Sequence, residues 1–540
     1  MTNNNNKWQP FIYGMLIAGG ILIGMWLRPS VGSKITIGGS SKFGEMLSII
    51  KEAYVDSVNM HDLENKTLNE MLSNLDPHSA YIPAEELQKA NEPLEGNFDG
   101  IGVEFNIVND TIMVVSAING GPSQELGIKA GDRIIKVDTT PVAGVKITND
   151  NVIKLLRGKR GTEVNVTIYR PYEKQKLDFT ITRNTIPIYS VDASFMIDTE
   201  TGYIKISRFA ATTHEEFLKA YAELESQNIK NLILDLRGNP GGYLNAATEL
   251  ADEILDGKKL IVYTQGRTKP KQEFFTERTG AFEAGKLVVL IDEGSASASE
   301  ILSGAVQDWD RGLVIGRRSF GKGLVQEPFD LSDGSALRLT VSRYYTPSGR
   351  CIQKDYKKQG YDEYENELFA RIENGELEDA SKQKIYDSTE YRTKLKNRLV
   401  YGGGGIYPDL FVPVDTSYNT RFLTEVFANG LLNKFAYDYL DKNRNAIAAI
   451  NDLDVYNKSY QISEVAFTSF VDFCKTQGIN TANATDINRS KNFIKLQLKA
   501  LIARQIWREK GYYNVVSKQD KGVLKALEAL TKYDQMMIKK

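Results

Sequence analysis

The turn Gly294-Ser295-Ala296-Ser297-Ala298-Ser299-Glu300 follows the apolar run Leu287–Ile291 and opens a stretch with helical spacing that reaches Trp309. Small residues let a backbone turn sharply and let a ligand come close. A serine in such a turn meets the free N–H groups and the positive dipole end of a helix, which favour negative charge. That setting suits a nucleophilic hydroxyl whose product is a tetrahedral oxyanion. It also suits an N-cap serine, and on local pattern alone the cap is the better account. A second turn, Asp235-Leu236-Arg237-Gly238-Asn239-Pro240-Gly241-Gly242, likewise leaves an apolar run and precedes a helix-like stretch. Its proline and paired glycines can expose backbone N–H groups at a strand end. Two such turns on one sheet edge would supply two oxyanion donors, with a plain βα loop as the equal alternative.

A serine nucleophile needs a base. The chain has 3 histidines, His61, His78 and His214. His214 starts an amphipathic helix beside Glu215 and reads as a residue of a solvated face. A neutral lysine can serve instead. Its ordinary pKa of ~10.4 must then fall, which burial achieves by disfavouring the ammonium. Lys322, in Gly316-Arg317-Arg318-Ser319-Phe320-Gly321-Lys322-Gly323-Leu324-Val325-Gln326, has apolar neighbours and no acid before Glu327. For a lone lysine a surface position is the ordinary fate. The stretch also begins like a phosphate-binding Gly-x-x-x-x-Gly-Lys loop, but Gly323 stands where a Ser or Thr would ligate Mg²⁺. No His-Glu-x-x-His pair exists, which excludes a thermolysin-like zinc site.

The elements that must position these residues alternate. Tyr203–Phe209, Leu232–Leu236, Leu260–Thr264, Leu287–Ile291 and Leu313–Ile315 read as buried strands; His214–Ser226, Leu244–Leu255 and Ser297–Trp309 read as helices. This alternation predicts a layered α/β core. Upstream, Ile101–Phe105, Ile112–Val115 and Val164–Ile168 are strand-like and Asn151–Arg157 is a short helix. Before them, Phe43, Met46, Leu47, Ile50 and Tyr54 share one helix face. Tyr356–Leu399 is charged and helix-prone and reads as a solvated insertion. Phe422–Lys540 reads as an amphipathic helical domain of unassigned role. The expected boundaries are 1–30 for a membrane signal, 40–96 for a helical domain, 97–185 for the strand-rich module, 186–415 for the α/β core with the insertion at 356–400, and 420–540 for the C-terminal helical domain.

The whole-chain arithmetic fits a multidomain globular protein. There are 540 residues, 41% hydrophobic and 25% charged, with 67 Lys and Arg against 69 Asp and Glu, for a net charge of −2. This balance gives no global reason to bind nucleic acid. Two cysteines, Cys351 and Cys474, build no disulfide framework and leave one bridge or two thiols open. Pro10–Leu27 carries no charge over a length that spans about 27 Å as a helix, just covering a bilayer core. No strong small-residue cleavage site follows it, so the expectation is an uncleaved anchor with the bulk of the chain exported.

Taken in order, Leu75-Asp76-Pro77-His78-Ser79-Ala80-Tyr81, Asn239-Pro240-Gly241-Gly242, Gly294–Glu300, Phe320-Gly321-Lys322-Gly323 and Tyr344-Tyr345-Thr346-Pro347-Ser348-Gly349 resemble the carboxyl-terminal processing (tail-specific) proteases. These are serine endopeptidases with a Ser–Lys dyad. The resemblance runs from about Phe43 to Pro413. It implies a ClpP/crotonase-like α/β protease core with an inserted PDZ domain and helical N- and C-terminal domains. Carried over by position, Ser297 is the nucleophile, Lys322 the general base and Gln326 the residue that helps orient the lysine. The oxyanion hole would be the N–H groups of Gly242, or instead Gly241, and of Ala298. Asp99–Phe105 matches the PDZ carboxylate-binding loop, so Gly100, Ile101, Gly102 and Val103 would hold a substrate's terminal carboxylate while its tail adds as a β-strand. Arg157 is the candidate for coupling the PDZ domain to the active site.

No cofactor or metal is implied. The implied partners are protein substrates bound by their C-terminal tails, and the membrane through the N-terminal segment, in the bacterial envelope facing the periplasm. The C-terminal domain and the insertion depart from the common pattern and leave a homo-oligomer or an adaptor protein open. Two rivals stand beside this reading: a non-catalytic PDZ scaffold with an inert protease-like domain, and a crotonase-like acyl-CoA enzyme.

Overall fold

The structure, a computed structural model, describes residues 42–356, 363–364, 366–479 and 483–538. The chain divides into two compact units, Met1–Glu70 and Met71–Lys540. In the first, the helix Lys42–Ala53 has no buried residue. Among the described residues no helix is long and apolar enough to cross a membrane. The proposed anchor Pro10–Leu27 lies outside the described residues.

The second unit is built on a six-stranded sheet. Its order is Val191–Met196, Thr201–Ile206, Asn231–Asp235, Lys286–Ile291, Leu313–Gly316 and Leu410–Phe411. The first pair is antiparallel and the rest are parallel. The inner strands are continuous apolar runs, as expected where both faces of a sheet are covered. Alternate residues divide between the faces. Leu232, Leu234, Leu287, Val289 and Ile291 pack under the helices Thr213–Glu225, Leu244–Asp252 and Ala298–Asp308. Ile233, Val288, Leu290 and Ile315 pack under Val523, Ala526, Leu530 and Tyr533, from the helices Lys521–Thr531 and Tyr533–Ile538. The C-terminal region, of unassigned role in the sequence, thus supplies one layer over this sheet.

A second sheet pairs Ala80–Ile82, Ala336–Tyr345, Leu260–Gln265 and Gln272–Phe275 in that order, with Leu324–Asp330 hairpinned onto Ala336–Tyr345. A third sheet, Val103–Val108, Thr111–Ala117, Arg133–Val137, Glu163–Arg170 and Gln175–Thr182, encloses its own core with the helix Asn149–Leu156. The pair Asn97–Gly100 and Asn184–Pro187 closes its neck. The helices between Arg421 and Ser517 have a separate core and hold the third sheet from outside. Arg504 pairs with Glu104 (2.7 Å), Tyr437 accepts from Asn106 (3.0 Å), and Arg508 donates to the Ala117 carbonyl (2.8 Å).

Two sequence readings need correction. The insertion is not simply solvated, because Glu367, Arg371 and Glu376 are buried. They enclose Arg318, which is fully buried and donates to Glu376 (2.7 Å), Glu367 (2.9 Å) and the Gly404 carbonyl (2.5 Å). Charge composition cannot reveal that acids and bases will satisfy one another inside. His214 is not on a solvated face either. It is part-buried, with Nε2 2.7 Å from Glu253 Oε1 and 3.0 Å from Arg278. Cys351 and Cys474 are both free thiols.

Candidate active site

Three adjacent parallel strands deliver the three chemistry-bearing segments to one sheet edge. Asp235 is in register with Leu290, and Ile291 with Gly316. The turns that leave these strands therefore emerge side by side at the carboxyl ends, where α/β sheets place their ligands.

The serine turn distinguishes its three hydroxyls. Ser295 and Ser299 are fully buried and donate to the carbonyls of Leu236 (2.8 Å) and Asn239 (3.0 Å). Ser297 is only part-buried and stands immediately before the helix Ala298–Asp308, all of whose residues are buried. Its backbone, φ 53° and ψ −113°, occupies a region that side-chain-bearing residues rarely adopt. Such strain, about 1–3 kcal/mol, persists only where surrounding structure enforces it.

The glycine turn lies directly against this serine. A Cβ built on Gly241 would come within 2.7 Å of Ser297 Cβ and 2.9 Å of the Ala298 nitrogen. At φ +98° Gly241 also needs the conformational freedom of glycine. Asn239 organises the turn. It is fully buried, its Nδ2 donates to the Ile206 carbonyl (3.0 Å), and its Oδ1 accepts the Gly241 N–H (2.8 Å). The Asn239 carbonyl accepts from Ala296 N–H (2.9 Å). The Gly241 N–H is therefore engaged, whereas among the described residues the N–H groups of Gly242 and Ala298 have no intramolecular acceptor. Of the two glycines, Gly242 is the one with a donor left to offer.

Lys322 and Ser297 share two anchors. Glu300 Oε2 accepts both the Ser297 N–H (2.8 Å) and the Lys322 N–H (2.9 Å). Its Oε1 accepts Gly321 N–H (2.7 Å) and the Ser319 hydroxyl. The Tyr344 hydroxyl is hydrogen-bonded to the Lys322 carbonyl and lies 3.2 Å from that of Ser297. One carboxylate and one phenol thus tie the two backbones together. Burial pushes the Glu300 carboxyl up to about 7, against the pull of these donors.

The Lys322 side chain has no hydrogen bond or ion pair among the described residues. Burial, then the Arg338 guanidinium, push its pKa below the ordinary lysine value, while Glu300 and Asp76 pull partly the other way. A buried, unpaired ammonium gives up its proton more readily. The hydroxyl of Ser297 and the amine of Lys322 are not hydrogen-bonded to each other. Gln326 donates through Nε2 to Thr340 Oγ1 (3.1 Å). His78, bonded to the Tyr364 hydroxyl (2.9 Å), is pushed down to about 3 by burial first and by Lys322 second. It is held neutral and is unsuited to accept a proton.

In the third sheet, Gly102 has φ +75°, and a Cβ there would sit 3.0 Å from Ile186 Cδ1. The N–H groups of Ile101 and Gly102 have no intramolecular acceptor among the described residues. Beside them, Val103–Val108 is an edge strand, paired on one side only. Gly100 lies next to Arg157, whose guanidinium stacks 4.3 Å over Phe98 and pairs with Glu92 of the helix Ala84–Glu95. Sequence reasoning gave Asn239, Glu300 and Tyr344 no role. The spacing Ser297-x-x-Glu300 is the one signal that pointed to Glu300.

Comparison with known proteins agrees with this geometry. Residues 200–360 match peptidase family S41, residues 100–182 match the PDZ domain, and residues 422–508 match a family of unknown function. A carboxy-terminal-processing protease of Bartonella bacilliformis is 34% identical over 348 residues, which is 64% of this chain and 79% of that protein. Carboxy-terminal processing protease CtpB of Bacillus subtilis is 37% identical over 316 residues, 58% of this chain and 65% of that one. Among solved structures, a photosystem II D1 C-terminal processing protease matches at 28% identity with a TM-score of 0.33, covering 59% of this chain and 94% of that one. With the sheet that bears Ser297 and Lys322 matched to S41 and the edge-strand module to PDZ, this chain belongs to the carboxy-terminal processing proteases, serine peptidases of family S41.

Proposed function

We propose that the chain is an endopeptidase that captures protein substrates by their C-terminal tails and cuts them with Ser297 and Lys322. The tail carboxylate is held by the loop Gly100-Ile101-Gly102-Val103, and the tail adds as a strand beside Val103–Val108. Ser297 Oγ adds to the scissile carbonyl carbon while its proton passes to the neutral Lys322 amine. The resulting oxyanion faces the N–H groups of Gly242 and Ala298 at the amino end of a helix. As the C–N bond breaks, the Lys322 ammonium returns that proton to the leaving amine. The neutral lysine then activates the water that releases the acyl group. Gln326 orients the lysine, and Arg157 links the tail-binding loop to the helix Ala84–Glu95.

The observation that carries the reading is the shared carboxylate. Glu300 Oε2 holds the Ser297 and Lys322 backbones at once (2.8 and 2.9 Å), and the unpaired lysine of the pair is buried. The test is cleavage of a protein with an apolar C-terminal tail. Ser297→Ala should abolish it, and an amidated tail should be cut poorly. Undiminished cleavage by Ser297→Ala would end the proposal.

The uncharged run Pro10–Leu27 supports attachment to a bacterial inner membrane with the protease facing the periplasm. Recovery of the full chain in a soluble cytoplasmic fraction would contradict this placement.

A further inference from the structure

An amide side chain offers an acceptor at one end and donors at the other. A glutamine beside a lysine therefore helps only if the right end faces it. The bonds around Gln326 decide which end that is. Its Nε2 donates to Thr340 Oγ1 (3.1 Å), and Thr340 Oγ1 donates to Asp76 Oδ1 (2.9 Å). The same Asp76 oxygen accepts the N–H groups of His78 (2.9 Å) and Ser79 (3.0 Å). The other oxygen accepts the Ser79 hydroxyl (2.6 Å), which itself accepts the Thr340 N–H (3.1 Å). A carboxylate only accepts, so the Thr340 proton is committed to Asp76. Thr340 Oγ1 can then only receive from Gln326, which pins the NH₂ end there and leaves Oε1 at the other.

The fold builds this chain deliberately. The hairpin of Leu324–Asp330 and Ala336–Tyr345 shifts register between Val325 and Gln326, which brings Gln326 opposite Thr340. A bulge of this kind re-aims a side chain. On the far side of Ala336–Tyr345, the strand Ala80–Ile82 pairs with Ala336–Arg338 and brings the preceding turn, with Asp76 and Ser79, against Thr340. Asp76 is 6% and Ser79 8% exposed.

We propose that Asp76 and Thr340 are positioning residues, forming a relay Asp76–Thr340–Gln326 that turns the Gln326 carbonyl oxygen toward the Lys322 amine. In the reactive arrangement one lysine N–H is held by that oxygen, a bond not made in this structure, and the nitrogen lone pair is left for the Ser297 proton. The proposal rests on the Ser297–Lys322 reading above. The charged and titratable groups that face Lys322 are Arg338 from the neighbouring strand, Glu300 from the helix, and Asp76 and His78 from the turn. All of them remain in Thr340 and Gln326 variants, so a change in the pH profile of such variants reports the amide.

The assay is the rate at which a fluorophosphonate probe acylates Ser297 in the full chain, across pH. Thr340→Val and Gln326→Ala should each lower the plateau on the order of 10²-fold, the cost of a misplaced catalytic group. Both should move the acid limb to lower pH, because the ammonium loses an acceptor. The double variant should be no slower than Gln326→Ala, and Thr340→Ser should restore the rate. Asp76→Asn should be milder than Asp76→Ala, since an amide oxygen can still take the three donors at Oδ1. Should Thr340→Val fail to fold, Gln326→Glu carries the test, and its acid limb should move to higher pH. An unmoved limb in Gln326→Glu, a wild-type rate in Thr340→Val, or multiplicative losses in the double variant would overturn the relay. Undiminished acylation in Lys322→Ala would instead overturn the Ser–Lys reading beneath it.

Discussion

Glu376 lies in the charged insertion, far in sequence from Ser297, yet its removal should be felt at the active site. Its carboxylate takes two bonds from Arg318 (2.7 and 3.1 Å) and pairs with Arg371 (3.0 Å), with all three residues buried. Glu376→Ala would leave Arg318 and Lys354 to share Glu367, and Arg371 with only the fields of Glu367 and Glu293. Breaking one partner from a buried pair costs about 3–5 kcal/mol, because the remaining charge stays dry and uncompensated. Here two guanidiniums lose a partner, so the upper half of that range is expected. The loop to Lys322 should loosen too, since Arg371 donates to the carbonyls of Arg318 (2.7 Å) and Ser319 (3.3 Å), and Ser319 bonds Glu300.

Denaturant unfolding of the full chain, followed in parallel with Ser297 acylation, reads both effects. Glu376→Ala should show a lower midpoint and a lower acylation rate, with tail binding by the PDZ domain unchanged. A cost under about 1 kcal/mol, the range of an exposed pair, together with normal acylation, would mean that the buried pair is dispensable and return the insertion to a solvated appendage. Glu367 adds a pH dependence. Burial raises its carboxyl, but Arg318, Lys354 and Arg371 outweigh that and hold it below the usual glutamate value. Its contribution is therefore present above the unfolded pKa of ~4.3. It is lost as pH falls through the lower folded value.

Three further outcomes are expected. Gly241→Ala should cut Ser297 acylation on the order of 10²-fold, the loss seen when one oxyanion donor is displaced, because its Cβ would lie 2.7 Å from the Ala296 carbonyl oxygen. Lys322→Met should abolish cleavage yet raise stability. The folded lysine binds fewer protons than the unfolded one between its depressed pKa and ~10.4, so the gain should be largest on the acid side of that window and shrink as pH rises through it. Gly102→Val should weaken binding of a tail peptide by about tenfold or more, the equivalent of one charge-assisted hydrogen bond, while acylation of Ser297 without peptide stays normal.

Much of the site was legible because its turns are made of residues that do little else. Ser297, Lys322 and the Gly241-Gly242 pair stand in small-residue turns at the ends of apolar strands, where few structural roles compete. What local pattern alone could not separate, and only the family resemblance did, was Ser297 from Ser295 and Ser299, whose hydroxyls are tied to nearby carbonyls. Nor could it tell Gly242 from Gly241, because the choice depends on where the Asn239 side chain turns. Asp76 and Thr340 lie 264 residues apart, and only strand pairing brings them together.

The insertion was misjudged because composition counts charges without showing that they face one another. The C-terminal layer was signalled more than it was read. Strands such as Leu232-Ile233-Leu234 are apolar on both faces and require cover on both. The amphipathic helices after Phe422 were the unassigned source of that cover.

The central claim is that an uncharged Lys322 makes the Ser297 hydroxyl reactive. Covalent capture by a fluorophosphonate probe, located by peptide mass spectrometry and timed in the native chain and in Lys322→Ala, tests it most directly. The expected result is a single adduct on Ser297 that forms on the order of 10²- to 10⁴-fold more slowly without the lysine, the range of a lost general base. An adduct on another residue, or equal rates in the two proteins, would contradict it.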